Sequence, residues 1–167
     1  MSEYREEIKD FVLKLQEKVG TLPRWNYSKT PNKLYYNTPF MDDLETVSFI
    51  DTFLFSKWAA AGEKVKEFED EFSKIVNNQY TIAVSSGSDA NLIMISALKE
   101  YYKWADNSNI LCSISGFPTT YSALIYNNLE MNLVDIEEKT LNFDLEKLEK
   151  QINDKTVAIF TSPPLGN

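Results

Sequence analysis

Tyr80-Thr81-Ile82-Ala83-Val84-Ser85-Ser86-Gly87-Ser88-Asp89-Ala90-Asn91 is where the character of the chain changes. An apolar run suited to a strand passes through six small or acidic residues, Ser85–Ala90, into a helical pattern. Further apolar runs follow at Ile110–Ile114, Met131–Ile136 and Val157–Thr161, and helical patterns lie between them at Asn91–Tyr102, Pro118–Asn127 and Asp144–Ile152. Strands and helices alternating at this spacing predict an α/β fold with a parallel sheet and right-handed crossovers. Pro118 suits the first turn of its helix and Asp144 suits an N-cap.

Upstream of this stretch the pattern is helical. Ile8, Phe11, Val12, Leu15 and Val19 form one stripe, closed by Gly20 and Pro23. Pro23 to Phe40 loses periodicity yet keeps Trp25, Tyr27, Tyr35 and Tyr36, which predicts an anchored loop rather than a linker, because rings need burial. A second helix is expected from Asp42, with Glu45 reaching back in a capping box and Leu44, Val47, Ile50 and Leu54 as its stripe. A third follows Trp58-Ala59-Ala60-Ala61-Gly62, with Val65, Phe68, Phe72, Ile75 and Val76 on one face and a solvated charged face opposite.

The 167 residues suffice for one domain with a real core, and 43% apolar with 25% charged residues is ordinary globular composition. The net charge of −8 matches a phosphate backbone poorly, so nucleic acid is not the expected partner. With no histidine the chain offers no imidazole base and no His-ligated metal, and with one cysteine no internal disulfide or Cys-cluster zinc site. Cys112, in an apolar run, is expected to be a buried strand thiol. Met1-Ser2-Glu3-Tyr4-Arg5-Glu6-Glu7 is no signal peptide, and no run approaches a membrane span, so the expectation is a cytoplasmic protein with no membrane partner.

Four stretches could carry chemistry. Val84–Asn91 joins a strand to a helix, where unpaired N–H groups, the helix dipole and serine hydroxyls together suit a phosphate dianion. An ordinary turn with Ser88 or Asp89 as cap fits equally well. Ser115-Gly116-Phe117-Pro118-Thr119-Thr120 leaves its strand at the carboxyl edge, where α/β sheets take ligands. Phe117 there can stack on a flat cofactor or plug the end of the core. Trp58–Gly62 can approach a ligand or serve as a helix–helix joint. Ser162-Pro163-Pro164-Leu165-Gly166-Asn167 again leaves a strand at its carboxyl end.

In colinear order these stretches resemble one family. Trp58–Gly62 followed by Phe68-Glu69-Asp70-Glu71-Phe72 resembles the entry helix of the DegT-type nucleotide-sugar aminotransferase and dehydrase family, and Ser85–Leu92 resembles its cofactor-phosphate turn. Gly116–Thr120, Leu165-Gly166-Asn167 and the extension from Glu3 to Tyr36 resemble the branch containing CDP-4-dehydro-6-deoxyglucose 3-dehydrase.

The resemblance implies the first part of a fold-type-I pyridoxal-phosphate enzyme. Residues 1–40 would be an N-terminal helix and aromatic loop, and 41–167 the beginning of the α/β large domain, incomplete without its second half and small domain. Gly87, Ser88 and Asp89 would hold the phosphate of pyridoxal or pyridoxamine phosphate, and Phe117 would stack on its ring. Trp58, Ala59 and Ala60 would lie along a nucleotide-sugar site. The resemblance also implies a homodimer with shared active sites for the full-length form, or pairing with a complementary C-terminal fragment. Tyr102–Ser108 lacks the family's Pro-Gly-Asp approach, and Pro163 stands where histidine is frequent. No lysine, histidine or ring-nitrogen aspartate of the catalytic set is matched here, so the chain by itself is expected to be catalytically inert. Tyr80–Val84 would be a strand separated from the other three, which predicts poor solubility or molten behaviour of the chain alone.

Three functions follow as expectations. The first is part of a nucleotide-sugar 3-dehydrase, or of an aminotransferase, for surface-polysaccharide deoxysugars. The second is a non-catalytic split or truncated chain acting through a complement. The third is a small phosphate-binding module unrelated to pyridoxal enzymes.

Overall fold

The computed structural model describes residues 3–20, 41–58 and 60–163. The aromatic loop expected over Pro23–Phe40, Ala59 and the Leu165–Asn167 motif lie outside the described residues. Two compact units meet in sequence between Ala83 and Val84.

The first unit is helical: α1 (Arg5–Val19), α2 (Asp43–Phe55) and α3 (Glu63–Ile75). The predicted capping box is formed, with Leu44 N–H donating to Asp42 Oδ1 and Asp42 N–H donating to Glu45 Oε2, both at 2.8 Å. α1 and α2 pack through Val12 and Val47, both buried. Arg5 lies 3.8 Å from the buried Asp51, and Tyr4 stacks on Phe55. Two buried apolar side chains are little core. The stripe of α3 stays largely open, although Phe68 and Phe72 stack on each other.

The run Tyr80–Val84 forms no ladder among the described residues. It is tied to α3 by Ala83 N–H to Glu69 Oε1 and Ser73 Oγ to Thr81 Oγ1, both at 2.8 Å. Its side chains alternate as in a strand, and Tyr80 and Ile82 are 78% and 75% exposed. The alternation belongs to a strand; the partner does not come from the described residues.

The second unit runs α4 (Gly87–Tyr102), β1 (Asn109–Ser113), α5 (Pro118–Tyr126), β2 (Glu130–Val134), α6 (Leu145–Gln151) and β3 (Thr156–Phe160). The predicted parallel sheet is present in the order β2-β1-β3. Central β1 is buried along its whole length, as expected of a parallel strand covered on both faces. Ile110 and Cys112 of β1 pack with Ile95 of α4, Ala123 and Leu124 of α5, and Leu129. Burial pushes the Cys112 thiol up to about 12, so this is an inert strand cysteine, as its surroundings predicted. Asp144 caps α6 by accepting from Lys147 N–H at 3.1 Å. No described helix is long and apolar enough to cross a membrane.

Candidate functional site

α4 begins four residues earlier than the apolar pattern predicts. Its cap is Ser86, neither Ser88 nor Asp89: the Ser86 Oγ accepts from Asp89 N–H at 3.2 Å, and Ala90 N–H reaches the Ser86 carbonyl. The periodicity missed this because Gly87, Ser88 and Asp89 carry no apolar side chain to mark the first turn. Gly87 and Ser88 therefore occupy positions whose N–H groups have no intrahelical acceptor and stand at the positive end of the helix dipole. A Cβ built on Gly87 meets nothing within 4 Å, so space lies open in front of these donors.

Asp89 turns the other way. Its Oδ2 accepts from the hydroxyls of Ser85 and Ser86. A carboxylate has no proton to give to a phosphate, and the Asp89 backbone N–H already donates to Ser86 Oγ.

Side-chain ties hold the far end of α4. Ser96 Oγ donates to Asn127 Oδ1 at 2.9 Å, and Lys99 Nζ donates to the Asn127 carbonyl at 2.6 Å. Asn127 ends α5, and Lys99 also pairs with Asp106 ahead of β1. The carboxyl end of α4 thus sits at the amino edge of the sheet, running alongside α5. Gly87 precedes Ser96 by nine residues and Pro118 precedes Asn127 by nine. At about 1.5 Å per residue the two helices run the same length from this tie back to their N-termini. The carboxyl edge of the sheet receives Thr161, Ser162 and Pro163 from β3, because the strands are parallel. Where strand order reverses, next to the central strand, is where open α/β sheets leave a ligand crevice.

Phe117 stands at this edge as the N-cap of α5, 71% exposed. It does not plug the core. That place is taken by Thr120, which is buried, and by Tyr121, which packs against the core cluster. The Tyr121 hydroxyl lies 2.8 Å from the Ser113 carbonyl and 3.2 Å from that of Ile114. A Cβ on Gly116 would come within 2.4 Å of that hydroxyl oxygen. Sequence reading passed over this contact because nothing in the spacing of Gly116 and Tyr121 announces it.

Trp58 and Ala60 belong to the first unit. Trp58 is 75% exposed, so it is not the buried joint that one reading allowed. It lines a groove of about 400 Å³ between the end of α2 and the start of α3, with Ser56, Lys57, Gly62 and Lys64.

Comparison with known proteins gives this arrangement its relatives. The description "DegT/DnrJ/EryC1/StrS aminotransferase family" covers residues 41–167. The chain is 37% identical over 142 residues to GDP-4-keto-6-deoxy-D-mannose 3-dehydratase of Yersinia pseudotuberculosis, covering 81% of this chain and 36% of that protein. It is 42% identical over 130 residues to the protein of the same name from Escherichia coli O55:H7, covering 75% and 33%. The chain thus spans about a third of the length of these curated relatives. Among solved structures, E. coli GDP-4-keto-6-deoxy-D-mannose-3-dehydratase with bound hydrated PLP aligns with a TM-score of 0.59 at 37% identity, over 67% of this chain and 28% of that one. The aminotransferase PseC of Helicobacter pylori aligns at 0.68 and 23% identity, over 77% and 33%, and shares the fold. With the family match running unbroken across both units from Met41 to Asn167, this chain belongs to the DegT/DnrJ/EryC1/StrS aminotransferase family.

Proposed function

We propose that this chain supplies the cofactor-phosphate part of a nucleotide-sugar 3-dehydratase that uses pyridoxal or pyridoxamine phosphate. The observation that carries the reading is the open space before Gly87 at the start of α4, together with the exposed ring of Phe117 at the start of α5. A phosphate dianion placed there meets the N–H groups of Gly87 and Ser88 and the Ser88 hydroxyl, while Asp89 holds Ser85 and Ser86 in place by accepting their hydroxyl protons. A flat ring attached to that phosphate reaches the face of Phe117, where stacking excludes water from one side. When bound, the cofactor supplies an electron sink for bond breaking at the sugar carbon. The chain's own residues bind and orient it; proton transfer falls to groups outside the residues described here.

The groove at Trp58 suits the nucleotide-sugar end. Lys57 and Lys64 line it with the indole, and Glu63 adds an acceptor. Ammonium groups complement a diphosphate, and an exposed indole face takes a base. The 3-dehydratase relatives favour removal of a sugar hydroxyl over amination.

A second reading rests on the exposed strand-like run at Tyr80 and Ile82. In it the chain works only once a further segment or partner chain, a second copy included, adds a strand there and completes the catalytic set.

Titration of the chain with pyridoxal phosphate tests the site. Binding should be displaced by inorganic phosphate and absent for pyridoxal, which lacks the phosphate. Equal affinity for pyridoxal and its phosphate would refute the cradle.

A further inference from the structure

We propose that Tyr121 is a positioning residue that sets the direction of the Phe117 ring by locking the turn between β1 and α5. The ladder between β1 and β3 ends at Cys112 and Phe160, so Ser113 has no counterpart on β3. The Tyr121 hydroxyl takes over at that point, donating to the Ser113 carbonyl at 2.8 Å with the Ile114 carbonyl at 3.2 Å. Its ring is partly buried against the core cluster, so the clip is anchored at both ends. Gly116 closes the turn from the other side. A Cβ there would stand 2.4 Å from the hydroxyl oxygen and 2.8 Å from the ring carbon bearing it, closer than such atoms approach. A side chain at residue 116 would have to displace the hydroxyl end of Tyr121, so the glycine leaves room for the clip.

Phe117 follows Gly116 directly and makes no side-chain cap bond of its own. With its ring in the open, its direction depends on the backbone beneath it. Ser115 N–H to Ser113 Oγ at 3.2 Å and Thr120 N–H to the Phe117 carbonyl at 2.9 Å complete the turn, but neither reaches across to the sheet edge as Tyr121 does. A fixed ring loses less freedom when a flat ligand stacks on it, so the clip acts through preorganisation.

The role rests on the reading in which pyridoxal phosphate seats between Gly87 and Phe117. The test compares two probes on the full chain, pyridoxal phosphate and inorganic phosphate. Inorganic phosphate needs the start of α4 alone; pyridoxal phosphate needs Phe117 as well. Tyr121→Phe keeps the ring and removes the hydroxyl. It should weaken pyridoxal phosphate binding by roughly three- to tenfold, the worth of one hydrogen bond, and leave inorganic phosphate affinity unchanged. Phe117→Ala should move the same ratio in the same direction. Amide exchange of Phe117, Thr119 and Thr120 should quicken in Tyr121→Phe while Ile110–Cys112 stay protected. An unchanged ratio, or equal loss for both probes, overturns the inference and leaves the cofactor site standing. A wild-type chain that binds pyridoxal phosphate no better than inorganic phosphate instead removes the stacking site itself.

Discussion

Gly87→Ala separates the fold from the cofactor site. Gly87 is the first helical residue of α4, and it is not among the residues with positive φ. An added Cβ meets no atom within 4 Å, so the substitution creates no clash. Alanine is favoured over glycine in helix interiors by roughly 0.5–1 kcal/mol, and by less in the first turn, so stability should change by under about 0.5 kcal/mol. For a chain of this size that is a shift of roughly 2 °C or less in the thermal midpoint. Binding should respond quite differently. Side chains on a helix lean toward its N-terminus, so the new methyl projects into the space where an anion would meet the Gly87 and Ser88 N–H groups. A lost hydrogen bond to a charged group is worth roughly 1.5–3 kcal/mol, which is a roughly ten- to hundredfold loss of pyridoxal phosphate affinity. Circular dichroism melting and a spectrophotometric titration of the same preparation read the two effects. Unchanged affinity would refute the placement of the phosphate. A fall of more than about 5 °C with lost affinity would show that Gly87 serves the fold.

Three further outcomes follow from the core and surface. Leu124→Ala empties a fully buried site where α5 meets β1 and should cost about 2–5 kcal/mol, measured by urea unfolding. Cys112, with its thiol pushed up to about 12, should resist alkylation by iodoacetamide at neutral pH until the chain unfolds; rapid native modification would contradict its burial. The hydrogen bond from Lys147 holds the Asp135 carboxyl below its ordinary range, and the Lys147 backbone N–H does most of the same for Asp144. Lowered carboxyl values mean stability that is present above the unfolded value of about 4 and lost as pH falls through the folded ones. Lys147→Met should flatten that acid limb and raise the Asp135 titration seen by NMR, and an unmoved Asp135 would refute the pairing.

Much of the architecture is legible because it is written at short range. The capping box at Asp42 and Glu45 and the Asp144 cap of α6 are contacts between residues two or three apart, and Pro118 opens α5 through its own fixed backbone angle. Apolar runs of strand length separated by helical periods likewise announce the parallel sheet. At Ser86–Asp89 the same local reading offered Ser88 or Asp89 as a possible cap and passed over Ser86, because several small polar residues in a row offer equivalent oxygens and the backbone geometry selects among them. Phe117 shows the limit more clearly. Whether its ring plugged the core or faced outward depended on Thr120 and Tyr121 already filling the core end, a matter of volume rather than of pattern.

Apart from Tyr80–Val84, which forms no ladder among the described residues, the sequence by itself determined the order and type of the elements, the phosphate-suited turn and the family to which these motifs point. Each of these depends on neighbouring residues, on helical spacing or on colinear motifs. Only the tertiary structure decided that Ser96 and Lys99 of α4 are tied to Asn127 at the end of α5 and that Tyr121 clips the β1 edge over Gly116. Those facts arise from contacts between segments distant in the chain, such as Ser96 with Asn127, or from how side chains share a fixed volume. Neither the pairing across thirty residues nor the competition for space leaves a periodic mark in the sequence.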